Sequence, residues 1–97
     1  PNRGVILMNR YEVGKMVKSM AGHDDSKVYV IIKSDGEYVY LSDGDLKTID
    51  NPKKKKKRHV QIINQIDDEL LKIIAENKNF NNEAIKHAIK KYKQKMS

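Results

Sequence analysis

Five apolar residues in a row, Val28-Tyr-Val-Ile-Ile32, are followed almost at once by Ser34-Asp35-Gly36-Glu37. No other feature constrains the fold as much. The run is β-branched and aromatic throughout, so it predicts a central strand buried on both faces. Asp-Gly supplies the positive φ that a tight primed turn needs, so the chain reverses there into a hairpin. Tyr38-Val39-Tyr40-Leu41 returns as the next strand, with the tyrosines on one face and Val39 and Leu41 on the other. Met16 to Met20 predicts an earlier strand ended by Ala21-Gly22. Ser42-Asp43-Gly44-Asp45 predicts another turn, Leu46 to Ile49 a fourth strand stopped by Asp50-Asn51-Pro52, and Val60-Gln61-Ile62 a fifth. Short strands joined by tight turns close most economically into a small closed or half-closed barrel, which also disposes of exposed edges.

The period then changes. Ile66, Leu70, Ile73 and Ile74 share one helical stripe, widened by Leu71, and Asp67, Asp68 and Glu69 suit the positive end of a helix dipole. Asn77-Lys78-Asn79 interrupts it. Asn81 or Asn82 caps a second helix, whose stripe is Ile85, Ala88, Ile89 and Tyr92. Two striped helices with a short linker form a helical hairpin. The fold class is therefore α+β, a barrel of about five strands over residues 9–63 followed by a two-helix hairpin over 64–97. Residues 1–8 stand apart as a leader or disordered N-terminus, because Met8-Asn9-Arg10 reads as a natural start and Arg3-Gly4-Val5 can be encoded by a ribosome-binding run.

With 97 residues there is room for one domain and one small core. The chain has no cysteine, so nothing points to an oxidising compartment. No apolar run approaches the ~20 residues that span a bilayer. The expected location is cytoplasmic. The net charge of +7 is concentrated in one place. Residues 1–52 hold 7 basic and 8 acidic side chains, and residues 59–97 hold 7 and 5. Between them stand Lys53, Lys54, Lys55, Lys56, Lys57 and Arg58. Six adjacent like charges repel, and a phosphate-binding segment is the reading that accounts for them, against a solvated linker, a nuclear import signal or a membrane patch. Tyr29, Tyr38 and Tyr40 offer a base-stacking platform, but the preferred reading is that they fill strands and cover the core's rim.

Catalysis finds little support. His23, His59 and His87 fall in different elements without ligand spacing, and Asp43-Gly44-Asp45 lacks the other ligands of a calcium loop. No nucleophile–base pair and no phosphate-binding glycine loop stands out. Neither an enzyme nor a cofactor nor a metal site is expected.

The stretch Tyr11-Glu-Val-Gly-Lys-Met-Val-Lys-Ser-Met-Ala-Gly-His-Asp-Asp-Ser-Lys-Val-Tyr-Val-Ile-Ile32 resembles a KOW motif. The likeness continues through Val39-Tyr-Leu-Ser-Asp-Gly-Asp-Leu-Lys47 and Asn51-Pro-Lys-Lys-Lys-Lys-Lys-Arg-His-Val60. Together these are similar to the small bacterial KOW-domain RNA-binding proteins, relatives of the fourteen-e type large-subunit ribosomal protein of archaea and eukaryotes. The resemblance implies an SH3-like barrel that binds RNA, ribosomal RNA first among the candidates, with ribosomal proteins as further partners. Gly22 matches the KOW glycine, and Lys53 to His59 match the family's basic stretch. Asp25-Ser26 stands where the family has Lys-Gly, and Asp24 and Asp25 would repel phosphate from that loop. The expected RNA contacts are therefore the run Lys53 to His59 and Lys47, supplemented by Lys15, Lys18 and Lys27. The alternatives are a protein-interaction adaptor built on the barrel and hairpin, and a transcription-associated KOW factor.

Overall fold

The computed structural model describes residues 11–19, 27–63, 65–78 and 80–96. The proposed leader, the KOW glycine Gly22 and the His23-Asp24-Asp25-Ser26 stretch lie outside the described residues. The chain runs β1 (Met16–Ser19), β2 (Val28–Asp35), β3 (Tyr38–Ser42), β4 (Lys53–Lys56), a 3₁₀ turn (Lys57–His59), β5 (Val60–Ile63), α1 (Asp68–Ala75) and α2 (Asn82–Met96). The five strands form one antiparallel sheet in the order β4-β3-β2-β1-β5. Among the described residues no ladder joins β4 to β5, so the two edges stay apart and the barrel is half open.

β2 is the middle strand and is buried on both faces, as its unbroken apolar run requires. Tyr29 and Ile31 point into an inner cluster with Val17, Val39, Leu41 and Val60. Val28 and Val30 point the other way, into an outer cluster with Met16 and the helical residues Leu70, Ile85, Ala88 and Ile89. The hairpin is thus packed on the outside of β1 and β2, and the sheet separates two small cores. The β2–β3 turn is Gly36-Glu37, between the paired residues Asp35 and Tyr38. Positive φ occurs at Gly36 (51°) and not at Glu37, the pattern of a type II′ turn.

The helices end as their sequences dictate. The Asp67 carboxylate accepts from the Leu70 N–H (3.0 Å) and caps α1. At its other end Asn77 adopts a positive φ of 56°, while the Lys78 N–H donates to the Ile73 carbonyl and the Asn77 N–H to that of Ile74. This is a Schellman stop with asparagine in the glycine's place. Asn81 caps α2 by accepting from the Ala84 N–H (2.9 Å), and Asn82 accepts instead from the Ile49 N–H (2.9 Å). Leu71 does not widen the apolar stripe; it is 42% exposed.

The fourth strand is not where the sequence places it. Leu46 to Ile49 form no strand, and Leu46 is 71% exposed. The Asp43 carboxylate accepts from the N–H groups of Asp45 and Lys47 (2.9 Å each), and the Lys47 carbonyl accepts from the Asp43 N–H and the Ser42 hydroxyl. These bonds wind residues 42–47 into a turn and consume the backbone groups a strand would need. Gly44 seals that turn onto α2. It sits at φ 76°, and a Cβ there would stand 2.3 Å from the Asn82 carbonyl oxygen. The place beside β3 is taken by the lysine run itself.

Candidate nucleic-acid interface

Lysine is a poor strand former, so β4 needs a reason to exist. Its register with β3 supplies one: Lys56 faces Tyr38, Lys55 faces Val39, Lys54 faces Tyr40 and Lys53 faces Leu41. The Lys57 N–H extends the pairing to the Glu37 carbonyl (2.8 Å). Because side chains alternate along a strand, the run divides into two rows. Lys53 and Lys55 lie on the inner side with Leu41 and Val39, and Lys54 and Lys56 on the outer side with the two tyrosines.

Aromatic rings receive several of these ammonium groups. Lys54 Nζ lies 4.3 Å from the centre of the Tyr38 ring and 6.0 Å from that of Tyr40, which Lys33 Nζ approaches at 5.3 Å. On the inner side Lys53 stands over Tyr29 (5.4 Å) and Lys57 over Tyr11 (5.2 Å). Tyr11 itself packs on the inner cluster, so the stems of these lysines run along the half-open rim of the core. The magnitudes explain how the run is tolerated. Same-row lysines are about 6.6 Å apart along a strand, which in water costs roughly 0.6 kcal/mol per pair. A cation over an exposed ring returns about 0.5–1 kcal/mol. The two are comparable, so alternation and the aromatic rings together neutralise the repulsion that makes the run look unstable in sequence.

Arg58 and His59 follow in the 3₁₀ turn and are exposed. The remaining proposed contacts are dispersed. Lys27 pairs with Asp43 (3.8 Å) and Lys15 with Glu12 (4.0 Å). Lys18 sits in β1 between Val28 of β2 and Gln61 of β5, on the half of the sheet away from β4. The Lys47 backbone is committed to the Asp43 turn. The structure therefore gathers Lys53 to Arg58 and leaves Lys15, Lys18 and Lys27 on the β1–β2 side. It also brings in Lys33, which sequence reasoning missed. Of the three tyrosines, Tyr29 is buried in the inner core, as expected, whereas Tyr38 and Tyr40 are half-buried on the outer face among lysines. The signal for this was the period-two Tyr38-Val39-Tyr40 pattern, but a uniform lysine run shows no period of its own to pair with it.

The hairpin's polar side is held by one lysine. Lys91 pairs with Asp67 (2.9 Å) and with Glu69, which His87 Nε2 approaches at 3.9 Å. Partial burial works against ionisation of Asp67, but the Lys91 ammonium and the Leu70 N–H outweigh it, so its pKa lies below the ordinary value. The Lys91 hydrogen bond lowers that of Glu69 too, and the two carboxylates raise that of Lys91. This clamp is structural and lies on the helices rather than on β4.

Among the described residues no group of three His, Cys, Asp or Glu side chains could hold a metal ion, and no helix is long and apolar enough to cross a membrane. Compared with models of protein families and with curated proteins, the chain matches none.

Proposed function

We propose that this protein is a non-enzymatic RNA-binding protein of the bacterial cytoplasm, acting on the ribosome through ribosomal RNA or in its assembly. The observation that carries the reading is the edge strand β4, in which lysines alternate onto two faces of an ordered backbone and continue into Arg58. A solvated linker would not need that order. A phosphate binder benefits from it, because cations held in place lose little freedom when they neutralise phosphates and release counterions. Most contacts of this kind go to the backbone, so RNA shape matters more than base identity along the run. The resemblance to KOW proteins supports the ribosomal part of the reading. A protein adaptor has less to offer, since the apolar stripes of the hairpin are used inside the fold.

Filter binding to structured ribosomal RNA across a salt series tests the proposal. Changing Lys53 to Arg58 together to glutamine should flatten the log–log salt slope by several units, at about 0.7–0.9 for each phosphate no longer neutralised. Circular dichroism would verify that the variant keeps its fold. An unchanged slope would overturn the role of the run, and sedimentation of the native protein away from ribosomes would overturn the ribosomal assignment.

A further inference from the structure

We infer that the outer face of β3 and β4 is a stacking site for unpaired RNA bases, in which Tyr38 and Tyr40 each receive one base and Lys54 and Lys56 hold the flanking phosphates. This rests on the RNA-binding reading and narrows it to the class of RNA taken at this face.

The spacing selects the ligand. Tyr38 and Tyr40 are alternate residues of one strand, so their side chains leave the sheet about 6.6 Å apart. Bases in a duplex follow one another at roughly 3.4 Å along the axis. Two rings at twice that interval match bases spread apart from each other, which a single strand, loop or bulge provides and a duplex does not.

The flanking charges then set the path of the RNA backbone. On the β4 side, Lys54 stands directly opposite Tyr40 and Lys56 directly opposite Tyr38. On the β2 side, Lys33 faces Tyr40 but Asp35 faces Tyr38. A phosphate beside Tyr38 is thus attracted by β4 and repelled by β2, so the backbone tracks along β4 with its bases laid over β3. The bulge between Ile31 and Lys33 produces this arrangement, because it turns Lys33 onto the tyrosine face. Neither tyrosine belongs to the core clusters, so their rings are not spent on packing.

In the free protein Lys54 and Lys33 lie over these rings. A cation on an exposed ring is worth roughly two- to fivefold in an equilibrium constant. A stacked base is worth about five- to 150-fold. The base therefore displaces the ammonium, which is left within reach of the adjoining phosphate. Stacking is tolerant of base identity, so the site should show weak sequence preference.

The test compares binding of a short oligoadenylate with binding of an RNA duplex. Changing Tyr38 and Tyr40 together to leucine should weaken oligoadenylate by roughly 25-fold or more, weaken duplex binding far less and leave the salt slope unchanged. Phenylalanine at both positions should restore the affinity. The chain has five tyrosines and no tryptophan, so quenching of tyrosine emission on binding reports stacking directly and should shrink in the leucine variant. If the leucine variant is unfolded, crosslinking of the unaltered protein to a bromouridine-containing single strand decides the matter. Crosslinks at Tyr38 or Tyr40 support the site, and crosslinks confined to other residues overturn it. Unaltered oligoadenylate affinity in a folded leucine variant, with the lysine variant still weakened, would remove the stacking site and leave the RNA-binding function standing. Failure of the native protein to bind either RNA would remove both.

Discussion

The outer face of the sheet carries two unlike surfaces side by side. On β1 and β2 it carries Met16, Val28 and Val30, which the helical hairpin covers with Leu70, Ile85, Ala88 and Ile89. Lys18, beside Val28 on the same face, stays half-buried outside that cluster. On β3 and β4 the face carries Tyr38, Tyr40, Lys54 and Lys56, and none of these belongs to the helix-packed cluster. The sheet is continuous across this boundary, with a bulge between Ile31 and Lys33, and what separates the two surfaces is their side-chain chemistry. Each apolar side chain buried by the hairpin contributes about 1.5–3 kcal/mol, whereas an ammonium group trapped under a helix costs several kcal/mol. The hairpin packs on the apolar residues of β1 and β2 and leaves Tyr38, Tyr40, Lys54 and Lys56 outside the cluster it forms.

The sharpest way to break this contrast is to exchange residues across it. Val30 is fully buried between β1, β3 and the hairpin. Val30→Lys places an unpaired charge there and should cost roughly 3–5 kcal/mol, enough to unfold much of the population of a domain this size. Lys54→Val makes the reverse exchange on the open half and should alter stability by no more than about 0.5 kcal/mol. Urea unfolding of the two variants checks both values. Equal destabilisation would mean that the open half is packed after all.

How far that contrast could be read from the sequence depends on whether a segment carries a pattern. β2 was legible because a five-residue apolar run tells its own burial on both faces. The hairpin was legible because Ile85, Ala88 and Ile89 recur at helical spacing and Asn77 interrupts at a natural stop. β4 was not legible, since six adjacent like charges have no alternation and lysine argues against a strand. Its register is imposed by Tyr38 to Leu41 across the sheet. Leu46 to Ile49 misled for the converse reason: its apolar residues suggest a strand, but the Asp43 carboxylate and Ser42 hydroxyl claim its backbone. The cations of the candidate site were therefore visible, while the aromatic rings that receive them appear only when the strands are aligned.

A second prediction concerns the seam where the two halves meet. Gly44 brings the turn after β3 against the start of α2, and Asn82 answers by accepting from Ile49. Gly44→Ala would force a side chain into a left-handed backbone position and against the Asn82 carbonyl. The expected loss is about 1–3 kcal/mol, with the turn separating from α2. Hydrogen exchange should show faster exchange at the Ile49 amide. If that amide keeps its protection, the hairpin is held by the apolar cluster alone.

Within the covering layer, the effect expected at Asp67 is smaller than that at Gly44. Asp67→Ala removes both a cap and a charge and should cost about 0.5–2 kcal/mol. Asp67→Asn keeps an effective cap and removes only the charge, so the difference between the two variants isolates the cap from the Lys91 pair. The pH dependence follows from the direction of each shift. Asp67 and Glu69 have pKa values lowered from 3.8 and 4.5, so their contribution is complete above those values and is lost as pH falls through the depressed folded ones. Lys91 is raised from 10.5, so its share is complete below that value and is lost as pH rises through the folded one. The clamp therefore acts fully between about pH 4.5 and 10.5 and weakens on both sides. Thermal unfolding across this range should show the acid-side loss reduced in Asp67→Asn, and added salt should shrink it in the unaltered protein, because the pair is partly exposed. An acid-side loss of the same size in Asp67→Asn would assign it to carboxylates outside the clamp. The hairpin would then depend on its apolar face and its cap, with no measurable help from charge.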